Sequence, residues 1–193
     1  MTDIVYVAVR PTADQEPERP PRERVQAQSR SARVALAEAA GSAGCGELSF
    51  EKDADDVPLP TEGWHWSVSH DAHLVAGAVT RGAVGVDLER AELRRVVDHE
   101  SVLDSAERGI LGPVDALAFA RLWTAKEAVL KAAGVGLGEL SACRLAEPLG
   151  EDWVRLLHHG RPCLVRQAFP GGHVIAVHTP GEDWTVAWDL AGA

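Results

Sequence analysis

The chain has 193 residues, of which 46% are hydrophobic, and a formal net charge of −10 at pH 7. This length suits one domain or two small ones, with enough apolar residues for a core. The negative charge argues against a general nucleic-acid binder or a binder of anionic membranes, because both need a positive field. No apolar run approaches the ~18–20 residues of a membrane-spanning helix. Three widely spaced cysteines without a CxxC pair favour reduced thiols, and we therefore expect a cytoplasmic protein.

The first 40 residues predict a strand and then a helix. Residues 1–10 alternate as a strand does, and a proline-rich connector at 11–23 leads to an alanine-rich helix at 25–40. The segment 19–33 holds five arginines and one acid, which makes it a basic island in an acidic chain. The island is either a solvated helix face or a site for a polyanion, since the guanidinium fork suits phosphate.

A run of β-prone segments follows at 64–69, 74–79 and 84–89, separated by short turns. Sequential strands joined by short turns are typical of an antiparallel meander. We therefore predict a three-stranded meander that brings the corner at Ser69 and His70 near the edge of the last strand.

The last of these segments carries the most informative pattern of the chain. Alternation would turn Val84 and its i+2 neighbours towards a core and place Gly85, Asp87 and Glu89 on the opposite face. Two carboxylates on one face repel each other unless a cation neutralises them, and Mg²⁺ prefers carboxylate oxygens. Gly85 would leave room for a ligand to approach the backbone. The alternative is an edge strand with a solvated acidic face.

Segment 90–118 is mostly helical in character, and the strongest helix of the chain is predicted at 119–133. On that helix Glu127 and Lys131 stand four residues apart, which is also the spacing of an ordinary surface ion pair. Lys126 falls within the apolar sector of the same helix, where it either snorkels or has a special role.

The last third predicts short strands at 153–157, 163–168, 174–177 and 184–188. Its segment from His173 echoes the segment from His73, at an offset of 100 residues. We interpret the echo as a sign of two related α+β halves, residues 1–83 and 84–193, with a site between them.

Three motifs in order carry a family resemblance: Trp66-Ser-Val-Ser-His70, Gly85-Val-Asp-Leu-Glu89, and the segment from Trp123 to Lys131, followed by Gly134-Val-Gly-Leu137. Together they resemble the 4′-phosphopantetheinyl transferases, in particular the pseudo-dimeric type that activates polyketide and nonribosomal peptide synthetases of secondary metabolism. The resemblance implies an α+β fold with two similar halves related by a pseudo-twofold axis. The active site would lie in the cleft between the halves, and the protein would be a monomer.

The resemblance also implies a reaction. The 4′-phosphopantetheine arm of coenzyme A would be transferred to a serine of an acyl or peptidyl carrier protein, with release of 3′,5′-ADP. Mg²⁺, or Mn²⁺, would be held by Asp87, Glu89 and Glu127. Glu127 would also act as the base for the serine hydroxyl, and Lys131 would stabilise or protonate the leaving phosphate.

Contacts to the phosphates of coenzyme A are implied for the Ser-His corner, two lysines of the strong helix and the basic island. The residues concerned are Ser69, His70, Lys126, Lys131, Arg24, Arg30 and Arg33, with Arg30 as the best match within the island.

The chain departs from the family pattern at two places. Asp71 follows the Ser-His pair where many members have Ser or Cys, and an acid is unfavourable beside a phosphate. Val57 precedes Pro58 where many members have Lys or Arg, and Lys52 is the nearest cation that could replace it.

Two other functions are compatible with these residues. A Mg²⁺-dependent phosphodiesterase or nuclease also uses an acidic pair, although the usual E-x-K is missing after Glu89 and the net charge opposes nucleic-acid binding. A catalytically silent module that binds coenzyme A or a carrier protein is the other alternative. The presence of all four expected catalytic and metal-binding residues argues against a silent module: Asp87, Glu89, Glu127 and Lys131.

Overall fold

The computed structural model describes residues 3–12, 20–92 and 102–193. Three α-helices lie in these ranges: α1 (Pro21–Ala43), α2 (Ser105–Leu111) and α3 (Ala116–Ala133). Nine strands accompany them: β1 (Ile4–Pro11), β2 (His65–His70), β3 (Leu74–Thr80), β4 (Gly85–Arg90), β5 (Cys143–Leu145), β6 (Trp153–His158), β7 (Arg161–Ala168), β8 (His173–Thr179) and β9 (Thr185–Asp189). The α+β class predicted from the sequence is confirmed. Within the described ranges, no helix combines the length and apolarity needed to cross a membrane.

The strands form two sheets, in the orders β2-β3-β1-β9 and β4-β8-β7-β6-β5. Strand β9 comes from the end of the chain, yet it completes the first sheet by pairing in parallel with β1. The two sheets therefore do not sort completely by the boundary at residues 83 and 84. That boundary and the pseudo-twofold relation of the halves stay predictions.

The predicted meander is wrong in its third strand. β2 and β3 pair antiparallel as expected, but β4 pairs with β8 and belongs to the other sheet. In place of a backbone ladder, the amide of Val86 on β4 donates to the hydroxyl of Ser67 on β2, at 3.1 Å. The edges of the two sheets thus meet along a seam, and side chains bridge it.

Three hydrophobic clusters order the layers of the fold. One lies between α1 and the first sheet, one between α3 and the second sheet, and one between the two sheets. Val84, directly before β4, and Val86 and Leu88 within it all belong to the cluster between the sheets, as their alternation predicts. The opposite face of β4, with Asp87 and Glu89, therefore lies on the side of the sheet that α3 covers.

The strongest predicted helix is confirmed and begins three residues earlier than expected. The side chain of Asp115 accepts a hydrogen bond from the amide of Ala118 at 2.8 Å and caps the first turn. Gly134 ends the helix in the left-handed conformation, with φ of 68°. Prediction from composition alone missed the first turn because it did not use this cap.

Gly85 is where α3 approaches β4 most closely. A Cβ atom at residue 85 would lie 1.9 Å from the carbonyl oxygen of Ala128 and 2.7 Å from the amide nitrogen of Ala132. The expectation that this glycine makes room for a ligand is therefore wrong, because the helix backbone takes the space. This contact brings α3 directly over the acidic strand.

Lys126 lies on a different side of α3 from Glu127 and Lys131. Its side chain is 3% exposed, and its ammonium is 2.7 Å from Glu107 Oε1 of α2 and 2.8 Å from the carbonyl oxygen of Val102. Glu107 in turn accepts hydrogen bonds from the amides of Asp104 and Leu145. These contacts contradict the expectation that Lys126 binds phosphate. The ammonium instead neutralises a buried carboxylate that ties α2 to α3 and β5.

We predict that Gly85→Ala destabilises the fold by about 3 kcal/mol, because the added methyl group meets helix backbone that cannot move independently. Chemical denaturation with a fluorescence readout measures the free energy of unfolding. Gly109→Ala on α2 is the matched control, since a Cβ there has no atom within 4 Å. An unchanged free energy of unfolding in Gly85→Ala would show that α3 does not pack this closely.

We predict that Lys126→Met costs about 3–5 kcal/mol, because it leaves the charge of Glu107 buried without its partner. The double variant Lys126→Met/Glu107→Gln should recover part of this loss, since the amide keeps an acceptor and carries no charge. Thermal and chemical unfolding of both variants test this. Additive losses in the double variant would contradict the ion pair.

Candidate active site

A cavity of about 410 Å³ opens at the seam between the two sheets. Four elements and one loop contribute to its wall: α1, β2 with its following turn, β4, α3, and the loop at 52–56. Six of the residues predicted from the sequence line it together: Ser69, His70, Asp87, Glu89, Glu127 and Lys131. They come from segments up to 62 residues apart, and the packing of α3 on β4 brings them into one place.

Lys131, Asp87 and Ser69 form a hydrogen-bonded group across the seam. Lys131 Nζ lies 2.7 Å from Asp87 Oδ1 and 3.2 Å from Ser69 Oγ, and the hydroxyl of Ser69 donates to Asp87 Oδ1 at 2.9 Å. Asp87 and Ser69 are buried, whereas the Lys131 side chain is 32% exposed. The ammonium thus joins β2, β4 and α3, and its exposed part faces the cavity.

Glu89 is oriented by an aromatic side chain of α3. The indole nitrogen of Trp123 donates to Glu89 Oε1 at 3.2 Å, and both residues line the cavity. The motif contains Trp123, but its role as a donor to Glu89 was not part of the sequence prediction. One helical turn separates Trp123 from Glu127, so both side chains project over the acidic strand.

Glu127 is a half-buried acid among other acids. Burial raises the pKa of its carboxyl group, and the negative charges of Asp87 and Glu89 add to this, while Lys131 opposes it. A carboxyl group with a raised pKa accepts a proton near neutral pH more readily than an ordinary glutamate. The same concentration of negative charge would be relieved by a cation. The oxygen donors of Asp87, Glu89 and Glu127 therefore fit a hard divalent ion.

His70 ends β2 and faces the cavity. Burial lowers the pKa of its imidazole, and the positive charges of Lys131 and Lys52 lower it further, against the opposing effect of Asp71 and Asp87. This environment favours the neutral ring, which still has one N–H to donate.

Asp71, the unexpected acid after the Ser-His pair, is held by three donors. Its Oδ1 accepts from the amides of His73 and Leu74, at 2.6 and 2.7 Å, and its Oδ2 lies 3.0 Å from His173 Nε2. The carboxylate thus fixes the turn between β2 and β3. Its partner from the other sheet is His173, whose segment echoes that of His73.

Residues of the basic island other than the three predicted arginines line the cavity. Val25 and Ser29 of α1 line the cavity, whereas Arg24, Arg30 and Arg33 are not among the lining residues. The guanidinium of Arg33 donates to the carbonyl oxygen of Phe50 and lies 5.3 Å from the centre of the Trp66 ring. Helical periodicity places Arg22 on the face of Val25 and Ser29. The predicted contacts of Arg24, Arg30 and Arg33 to phosphate stay predictions.

A second cavity, of about 520 Å³, adjoins the first. The two share Lys52, Asp56, Val68 and Lys131 among their lining residues, and the second extends to the turn at 134–136. Lys52 Nζ is 3.1 Å from Asp56 Oδ2. Lys52 therefore stands at the junction of the two cavities, which together form an elongated groove.

A different set of side chains comes together away from this groove. Among the described residues, possible metal ligand atoms of Glu139, His158 and His159 all lie within 4.8 Å of one another. His159 Nε2 is 3.0 Å from Glu139 Oε2, so a surface ion pair accounts for two of the three residues.

Comparison with known proteins agrees with the motifs. The family model described as the 4′-phosphopantetheinyl transferase superfamily matches residues 83–187. The chain is also 30% identical over 129 residues to the 4′-phosphopantetheinyl transferase psf-1 of Bacillus pumilus. This match covers 62% of the present chain and 55% of the relative, so the chain spans little more than half of that protein's length. The family match includes β4 and α3, which carry the acids and Lys131. The chain belongs to the 4′-phosphopantetheinyl transferase superfamily.

Proposed function

We propose that the chain is an enzyme that transfers the 4′-phosphopantetheine arm of coenzyme A to a serine of an acyl or peptidyl carrier protein. The observation that carries the proposal is the meeting of Asp87, Glu89, Glu127 and Lys131 in one cavity. An ammonium beside carboxylates that fit a divalent cation suits the breaking of a pyrophosphate, because negative charge must be neutralised both on the phosphoryl group under attack and on the leaving oxygen. Family membership supports the same reaction.

Asp87, Glu89 and Glu127 would hold a divalent cation, Mg²⁺ or Mn²⁺. Bound there, the cation would neutralise pyrophosphate oxygens while the P–O bond breaks. Trp123 would keep Glu89 in place through its indole N–H. Lys131 would keep Asp87 in place until the ligand arrives.

One residue of this chain would accept the proton, and another would stabilise the leaving group. The serine hydroxyl of the carrier protein would attack the phosphorus that bears the pantetheine arm, and Glu127, whose pKa is raised by burial, would take its proton. The bond from that phosphorus to the bridging oxygen of the pyrophosphate would break, and 3′,5′-ADP would leave with the bonding electrons. The ammonium of Lys131, which lies in the cavity wall beside Asp87 and Ser69, would stabilise that charge.

The shape of the groove supports coenzyme A as the donor. Coenzyme A is long and carries phosphates at two places, and the two adjoining cavities offer length and cations. His70 and Ser69 would contact the 3′-phosphate through an N–H and a hydroxyl group, with Lys52 nearby at the junction. Binding of a phosphate would favour the protonated imidazole and offset the effect that lowers its pKa in the free protein.

Intact-mass spectrometry tests the proposed reaction. An apo acyl or peptidyl carrier protein is incubated with the chain, coenzyme A and Mg²⁺, and its mass should increase by one phosphopantetheine, with 3′,5′-ADP released. EDTA should abolish the transfer and added Mg²⁺ should restore it. Release of 3′,5′-ADP without a carrier would instead indicate a phosphodiesterase. Binding of coenzyme A without transfer to any of several carriers would indicate a silent binding module.

We predict that Glu127→Gln lowers kcat by at least about a hundredfold, because the amide cannot take the serine proton or carry charge for a cation. The fold should be retained, since the two side chains have the same shape. Glu139→Gln, in the surface group with His158 and His159, is the matched control and should keep full activity. Near-native turnover of Glu127→Gln at saturating Mg²⁺ would show that another residue is the base.

We predict that His70→Ala raises the KM for coenzyme A about tenfold with a smaller change in kcat, because it removes one phosphate contact in the ground state and in the transition state alike. His65→Ala, at the other end of β2, is the control. An unchanged KM would remove His70 from the phosphate site.

A further inference from the structure

The contact between Asp71 and His173 is not used by the proposed reaction, although it lies at the cavity wall. His173 is 6% exposed, and it comes from a strand 102 residues away from Asp71 in the sequence. A buried imidazole that faces a carboxylate at 3.0 Å makes a strong hydrogen bond. The contact crosses the seam between the two sheets.

On the side of the first sheet, Asp71 directly follows the corner that carries Ser69 and His70. The other carboxylate oxygen of Asp71 accepts both amides of the turn, and the carbonyl oxygen of Leu74 accepts the amide of Asp71 at 2.9 Å. One side chain therefore sets the conformation of the turn and receives the contact from the second sheet.

On the side of the second sheet, His173 belongs to the strand that pairs with the acidic strand β4. His173 begins β8 and stands opposite Arg90 of β4, and the next pair in the register is Val174 with Glu89. A second contact also joins the turn to the second sheet: Arg90 Nη1 is 3.4 Å from His73 Nε2. The turn after the corner is thus joined to the second sheet at two points, to β8 through His173 and to β4 through Arg90.

We infer that His173 is a positioning residue: through Asp71 it holds the corner of Ser69 and His70 at a fixed place relative to the acids of β4. The inference rests on the proposed function where it concerns coenzyme A, and on geometry alone where it concerns the corner. It accounts for the acid after the Ser-His pair. With three donors around it, the carboxylate of Asp71 is engaged by this chain's own groups.

Three variants separate positioning from stability. His173→Leu fills the space but removes the donor, whereas His173→Gln keeps an N–H close to the place of Nε2. His178→Leu is the matched control, because His178 lies on the same strand and its Nδ1 is 3.0 Å from the carbonyl oxygen of Leu164, within the second sheet. We expect the KM for coenzyme A to rise about tenfold in His173→Leu, with a smaller change in kcat. We expect His173→Gln and His178→Leu to stay near the wild-type KM.

Amide hydrogen exchange supplies a readout that does not depend on activity. In His173→Leu the amides of His73 and Leu74 should exchange about tenfold faster than in the wild type, because the turn opens more often. They should be unchanged in His178→Leu. Asp71→Asn should reproduce the effect of His173→Leu, because its amide group keeps an oxygen for the turn and replaces the acceptor of His173. Combined with His173→Leu it should add little.

The outcomes are distinguishable from a failure of the proposed function. If the wild type transfers nothing but exchange at the turn rises in His173→Leu, the positioning role stands and the proposed reaction does not. If exchange at His73 and Leu74 and the KM both stay at wild-type values in His173→Leu, the inference is overturned. The inference is also overturned if His178→Leu changes the turn as much as His173→Leu does.

Discussion

The site depends on the close packing of α3 on β4 at Gly85. Because residue 85 has no side chain, the carbonyl oxygen of Ala128 can occupy the space that a Cβ would fill, 1.9 Å from its position. The two flanks of the helix then fall on either side of that contact. Glu127 and Lys131 reach over the acidic strand, while Lys126 is directed to Glu107. The close contact between the two backbones thus determines that Lys131 lines the cavity and that Lys126 pairs with a carboxylate in the interior.

The seam between the sheets supplies the second half of the site. Edge strands with unpaired backbone groups are normally blunted or covered, but here β2 and β4 face each other and side chains replace the ladder. Ser67 accepts the amide of Val86, and Ser69 donates to Asp87. Since no continuous backbone ladder closes the gap, space remains for a cavity, and the bridging hydroxyl groups keep its two walls in register. The contact of Asp71 with His173 fits the same pattern at the end of the seam.

Local patterns predicted the parts of the site, and long-range pairing decided how they are assembled. Alternation along β4 correctly separated its core face from its acidic face, and helical spacing correctly placed Glu127 and Lys131 together. The predicted meander was wrong because strand order depends on competition between partners far apart in sequence. β4 pairs with β8 of the second sheet and not with β3. The partner of Lys126 could not be predicted for the same reason, since Glu107 lies 19 residues away on another helix. The role of Asp71 could not be predicted either, because its partner His173 lies 102 residues away in the sequence.

The balance of charge in the cavity explains how an acidic chain could receive an anionic ligand. Asp56 is paired with Lys52, Asp87 with Lys131, and Asp71 is hydrogen-bonded by His173 and two amides. The two lysines neutralise their partners locally and the donors around Asp71 satisfy its carboxylate oxygens, although the chain as a whole carries −10. Negative charge remains concentrated around Glu127, where burial and neighbouring acids raise the pKa of the carboxyl group. An anion can therefore approach along the wall of His70 and Lys52, and the acidic end of the groove is the place where a cation would be needed. That separation of a neutralised wall from an acidic end suits the cleavage of one phosphate linkage in a ligand that carries several.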